Sequence, residues 1–156
     1  LASGGGKVVL VASGGKKYHT DVFDAGTGKA VWKDSFSWGQ DHHGGHMARP
    51  AIVNGEVYVR PRAYDLATGK VLKKSLPGGG CGTYAATTGA FIFRSGNVTM
   101  WDRSNGKVTS WSRLRPDCWL STIPAGGMLL SPEGGGGCSC GSWLETSIGF
   151  IPVARK

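Results

Sequence analysis

This chain of 156 residues has no stretch of ten or more residues with apolar positions at helical spacing. No apolar run approaches the length needed to cross a bilayer. Basic residues outnumber acidic ones by 18 to 10, a net charge of +8. They are spread along the chain without a Lys/Arg-rich run, and no nucleic-acid module is recognisable, so no nucleic-acid partner is expected. No signal-peptide pattern of basic, apolar and small-residue regions is recognisable, and the opening on Leu1 leads us to expect a processed precursor or a piece of a longer protein. A nucleophile elbow, a His-Glu-x-x-His motif and a glycine-rich phosphate loop are all missing. Gly4-Gly5-Gly6 and Gly78-Gly79-Gly80 open no helix. Asp117, Glu133 and Glu145 have no spacing that would pair two carboxylates for acid–base work.

What the chain does have is glycine and a repeat. Its 27 glycines far exceed the usual share of about 7% and sit between β-branched runs, which points to many short strands. Asp24-Ala25-Gly26-Thr27-Gly28-Lys29 is followed by Asp65-Leu66-Ala67-Thr68-Gly69-Lys70 and by Asp102-Arg103-Ser104-Asn105-Gly106-Lys107. An aromatic residue precedes each Asp (Phe23, Tyr64, Trp101), and a valine follows each turn (Val31, Val71, Val108). Each copy is expected to be a hairpin. The Asp accepts hydrogen bonds from amides two or three residues on, and the Gly supplies a positive φ. Trp32 and Trp111 end two of the return strands and can pack against neighbouring sheets.

Strands are expected at Lys7 to Ala12 and Tyr18 to Asp24, then through Trp32, which gives the first unit three strands with an innermost one missing. The second unit has Ala51 to Val53, Glu56 to Arg60, Ala63 to Asp65 and Val71 to Ser75, with a hairpin at Asn54-Gly55. The third has Thr83 to Ala86, Ala90 to Arg94, Val98 to Asp102 and Val108 to Trp111. The fourth has Leu120 to Ile123, Met128 to Ser131 and Trp143 to Val153. Gly134 to Gly137 and Cys138-Ser139-Cys140 replace its repeated turn. Four strands per 40 or so residues is the pattern of a β-propeller. Blades are expected at about 1–36, 46–76, 81–112 and 118–156.

Phe23-Asp24-x-x-Thr27-Gly28-Lys29-x-Val31-Trp32 resembles the repeat of quinoprotein-type, or PQQ-like, β-propellers, and the likeness covers roughly residues 7 to 111. Arg115-Pro116-x-Cys118-Trp119, Ile123 to Gly127 and Gly137-Cys138-x-Cys140 resemble the C-terminal part of secreted bacterial PQQ-like repeat proteins. The resemblance implies an all-β antiparallel propeller of which this chain gives three to four blades, part of a larger ring. Further blades or another chain would close that ring. It also implies a secreted or periplasmic bacterial location and a scaffold like the outer-membrane assembly lipoprotein. PQQ itself is not expected. Quinoprotein dehydrogenases hold the quinone over a disulfide between adjacent cysteines with a calcium beside it, and this sequence has neither the adjacent pair nor a matching ligand set.

The repeat also locates an insertion. Asp65 to Gly89 and Asp102 to Gly126 each span 24 residues, whereas Asp24 to Gly55 spans 31, leaving seven extra. They fall in Ser37-Trp38-Gly39-Gln40-Asp41-His42-His43-Gly44-Gly45-His46-Met47, and such insertions often mark a binding face. His42, His43 and His46 could hold Zn or Cu with Asp41 or Met47, or His42 or His43 could act as a general base. Unliganded surface histidines are the plainer alternative. Cys81 and Cys118 lie 16 residues after Asp65 and Asp102, and the same count from Asp24 ends at Gln40, so loop and cysteines should share one end of the propeller. Disulfides linking Cys138 and Cys140 to Cys81 and Cys118 are favoured over a Cys/His metal site in an oxidising compartment. Trp38, Trp119 and Trp143 could stack on sugar rings, with Arg49, Arg60, Arg62 and Arg115 meeting anionic groups; packing between blades is the alternative.

The expected function is a secreted or periplasmic binding or scaffold module that takes a protein, polysaccharide or anionic ligand at the face with the histidine loop. Its rival is a metal-assisted or His-dependent enzyme (hydrolase, lyase or oxidoreductase) at the same face. No cofactor is required by the sequence.

Overall fold

The computed structural model of the chain describes residues 1–37, 49–78, 83–114, 122–132 and 147–153. The chain is all-β. Among the described residues there is no helix, hence none long and apolar enough to cross a membrane, and fifteen strands form four antiparallel sheets. Contacts divide the chain into two compact units, Leu1–Gly78 and Gly79–Lys156.

The first unit has two four-stranded sheets whose strands pair in chain order. One contains β1 (Ala2–Gly4), β2 (Lys7–Gly14), β3 (Lys17–Asp24) and β4 (Ala30–Ser37). The other contains β5 (Ala51–Val53), β6 (Glu56–Val59), β7 (Arg62–Asp65) and β8 (Val71–Ser75). The second unit has a four-stranded sheet of β9 (Ala85–Ala86), β10 (Ala90–Ser95), β11 (Asn97–Asp102) and β12 (Val108–Trp111). Beside it in sequence is a sheet of β13 (Ile123–Ala125), β14 (Met128–Ser131) and β15 (Ile148–Phe150).

The repeated turns are built as their residues dictate. Asp65 Oδ1 accepts from the amides of Ala67 (3.1 Å) and Thr68 (2.8 Å) and from the Thr68 hydroxyl (2.7 Å). The Gly69 amide donates to the Asp65 carbonyl at 2.9 Å, with Gly69 at φ +74°. Asp24 repeats this with Thr27, and Asp102 with Ser104 and Asn105. These hydrogen bonds favour the ionised carboxylate. Led by the hydroxyls of Thr27, Thr68 and Ser104, they hold Asp24, Asp65 and Asp102 below the ordinary carboxylate range.

Three expectations are corrected. The first sheet has four strands and not three. Ala2, Ser3 and Gly4 pair with Val9, Val8 and Lys7 through a Gly5-Gly6 turn at φ 55° and 69°. A three-residue Ala-Ser-Gly strand has no apolar alternation to reveal it, and the register is fixed by the turn and by the Ala25 amide donating to the Gly6 carbonyl at 2.9 Å. Second, Trp111 ends its return strand but Trp32 does not, because β4 runs on to Ser37. A bulge between Val22 and Phe23 places Trp32 opposite Val22, whereas Trp111 lies opposite Val98, two residues farther from its turn. Third, β15 pairs with β14, so the segment carrying Gly134 to Cys140 joins those two strands and does not replace the repeated turn. Register places Phe150 and Ile151 where the second sheet has Tyr64 and Asp65: Val53 pairs with Glu56 and Val57 with Tyr64, just as Ala125 pairs with Met128 and Leu129 with Phe150.

The core of the first unit is formed by one face of each sheet. Val9, Tyr18, Val22 and Phe36 pack with Val57, Val59, Tyr64 and Leu66. Burying each such side chain contributes about 1.5–3 kcal/mol. At the rim, the Trp32 ring lies 5.3 Å from Tyr64 and its indole N–H donates to the Leu66 carbonyl at 2.8 Å. In the second unit Phe91, paired with Trp101, is also packed by Tyr84 at 5.5 Å.

Candidate functional site

Backbone hydrogen bonds tie down connections at both ends of the second and third sheets, including the Leu76 amide to the Pro61 carbonyl at 3.0 Å. At one end the repeated turn is tied to the preceding hairpin: Ala25 to the Gly6 carbonyl, Leu66 to Gly55 and Arg103 to Gly89, each at 2.9 Å. The chain leaves each outermost strand at the other end. β4 finishes at Ser37, opposite Lys17, and β5 begins at Ala51, so the histidine insertion joins the free ends of these two sheets. In the second unit β12 finishes at Trp111 opposite Val98, whose amide donates to the Leu114 carbonyl at 2.7 Å.

Most residues singled out from the sequence lie outside the described ones: Trp38, Gln40, Asp41, His42, His43, His46 and Met47 in the insertion, Cys81, Arg115, Cys118 and Trp119, and Cys138, Cys140 and Trp143. Among the described residues no three His, Cys, Asp or Glu side chains gather as a metal site. Arg49 is described and exposed, two residues ahead of β5. Arg60 is half-buried and precedes a cis peptide to Pro61. Arg62, offered by the sequence as an anion-binding residue, instead joins the two sheets. Its Nη1 meets Asp34 Oδ2 at 2.7 Å, and its guanidinium lies 4.4 Å from the centre of the Phe36 ring. The same Asp34 oxygen accepts from the Tyr64 hydroxyl at 2.8 Å. Burial first, and the Asp34 carboxylate second, hold the Tyr64 phenol well above its ordinary value. The network lies close to the end of β4 from which the insertion departs.

Sequence reasoning passed over one polar cluster. His19 and Asp21 alternate along β3 and so share a face, opposite Ser35 and Lys33 of β4. With Asp34 they line a hollow of about 520 Å³ on the first sheet. Imidazole, carboxylate, ammonium and hydroxyl together can hydrogen-bond a polar ligand. The alternation His19-x-Asp21 was readable in the sequence, but its facing Lys33 and Ser35 depends on the bulge between Val22 and Phe23.

No protein-family model matches the chain, and no curated protein does. Among solved structures, BamB from Moraxella catarrhalis superposes with a TM-score of 0.53 over 82% of this chain at 19% identity. The fold is that of a PQQ-like β-propeller. The superposition spans 43% of the BamB chain, so this propeller chain matches less than half of that protein.

Proposed function

We propose that the chain is a binding or scaffold module, acting outside the cell or in the bacterial periplasm, that engages a protein, polysaccharide or anionic ligand through the connections between its sheets. The observation that carries this is where the connections emerge: the histidine insertion leaves β4 after Ser37 and the chain returns at Ala51, both at the sheet ends away from the repeated turns. In the second unit the connection after Leu114, which carries Arg115, Cys118 and Trp119, leads into β13. The long connection with Cys138 and Cys140 leaves β14 after Ser131, beside the start of β13. That arrangement supports disulfides joining these segments. The resemblance to scaffold lipoproteins of outer-membrane assembly supports a protein partner. The match to 43% of the BamB chain supports a ring completed by further blades or a second chain.

Metal and thiol analysis of the purified chain tests the reading. The scaffold predicts four oxidised cysteines and no bound transition metal. Stoichiometric Zn or Cu, lost when His42, His43 and His46 are replaced by alanine, would overturn it in favour of the metal-assisted enzyme.

A further inference from the structure

The second unit has an apolar cleft of about 550 Å³ between its two sheets, lined in part by Ile92, Met100, Trp111, Met128, Leu129 and Phe150. Its size is typical of a ligand site. The first unit shows what occupies the corresponding place. There, Trp32 of β4 lies against Tyr64 of the next sheet and donates to the Leu66 carbonyl. Register supplies the counterparts in the second unit. Val22 and Met100 each stand two residues before the repeated Asp; Val22 pairs with Trp32, and Met100 pairs with Thr109. Phe150 takes the place of Tyr64, and Pro152, which keeps its carbonyl, that of Leu66. The receiving ring and an acceptor are thus retained, and a small Thr replaces the indole. Trp111, two residues farther along, pairs with Phe150 at 6.4 Å between ring centres, a looser contact than the 5.3 Å of Trp32 on Tyr64, and it lines the cleft without closing it. Met100 and Met128 are flexible, polarisable side chains suited to packing on an incoming ring.

We propose that this cleft binds an aromatic side chain, tryptophan above all, presented by a partner polypeptide. The ring would lie on Phe150 as Trp32 lies on Tyr64, with its N–H directed to a backbone carbonyl. The inference does not rest on the histidine insertion or on the cysteines.

The chain contains three methionines, Met47, Met100 and Met128, so a methionine-methyl NMR spectrum of the intact protein reads the site directly. The probe is acetyl-Val-Trp-Lys-amide, the sequence around Trp32. Saturable ring-current shifts of Met100 and Met128 are expected below about 10 mM peptide, since one stacked ring supports only weak affinity. Thr109→Trp should fill the cleft from within and abolish the shifts. If that variant folds poorly, Thr109→Phe serves the same purpose. Phe150→Leu should weaken binding about threefold to tenfold through the lost ring contact. The proposal is overturned if the two methyls do not respond, or if they respond equally in the Thr109 variants. A response to free indole but not to the peptide would also overturn it, assigning the cleft to small aromatic molecules.

Discussion

Alanine at Gly69 should be far more damaging than alanine at either equivalent glycine. Gly28, Gly69 and Gly106 occupy the same turn position at φ 68°, 74° and 74°, where a side chain costs about 1–2 kcal/mol. Only at Gly69 does a neighbouring ring add to that. A Cβ there would stand 2.6 Å from Trp32 Cδ2, 2.7 Å from Cγ and 3.0 Å from Cε3, well inside contact distance. At Gly28 nothing lies within 4 Å, and at Gly106 only Trp101 Nε1 approaches, at 4.0 Å. Forcing the indole aside adds an overpacking penalty of about 1–3 kcal/mol. It also endangers the bond to the Leu66 carbonyl, worth about 0.5–1.5 kcal/mol. Gly69→Ala should therefore cost about 3–5 kcal/mol, and Gly28→Ala and Gly106→Ala about 1–2 kcal/mol. Urea unfolding followed by circular dichroism measures all three. Trp32→Leu in the Gly69→Ala background should recover the excess as a coupling of about 2–3 kcal/mol. Equal losses for the three alanine variants, or additivity in that double mutant, would refute the packing argument.

Protonating Asp24, Asp65 and Asp102 should weaken the turns. Their folded-state affinities for protons are depressed, so their contribution is complete above the ordinary carboxylate value near pH 4 and is lost as pH falls below it. Asp65→Asn should lower the thermal midpoint at pH 7 and flatten its decline between pH 5 and pH 2, both seen by calorimetry. Asp34→Ala leaves Arg62 and Tyr64 without their shared acceptor; solvent screening of a pair about one-third exposed keeps the expected loss near ~1 kcal/mol in urea unfolding. In Asp34→Asn the Tyr64 phenol should titrate at lower pH than in the parent, as ultraviolet absorbance would record. The Thr20 hydroxyl is fully buried without a hydrogen-bond partner, so Thr20→Val, which keeps the shape, should raise stability by about 1 kcal/mol.

The repeated turns were legible because their chemistry is local. Asp24, Thr27 and Gly28 satisfy one another within five residues, so spelling alone identifies them. β1 was hidden because Ala-Ser-Gly has no pattern and is held in place by pairing to β2. Trp32 stands eight residues after its Asp and Trp111 nine, and a bulge at Val22 and Phe23, which no composition signals, widens that difference in register. Arg62 looked free because its partner Asp34 lies 28 residues away on another sheet, a distance that only folding closes. The match between Phe150-Ile151 and Tyr64-Asp65 was missed because an apolar residue replaced the Asp by which the turn was recognised.

That last substitution points to where recognition should be sought. Where the repeat is kept, its polar atoms are already used. Asp65 Oδ1 takes three hydrogen bonds, and the Trp32 N–H and the ring face of Tyr64 satisfy each other's sheet. Such positions have little left to offer a ligand. Where the repeat is broken, at Thr109 and at Phe150-Ile151, the close ring contact of Trp32 on Tyr64 gives way to the looser one of Trp111 on Phe150, and apolar surface lines an open cleft. Uncovered apolar surface of this kind favours any partner that removes it from water, at about 25 cal/mol for each Å² buried. A variant that restores the repeat at Thr109 should therefore gain stability as it loses affinity for aromatic peptides, an inverse relation that a merely irregular blade would not produce.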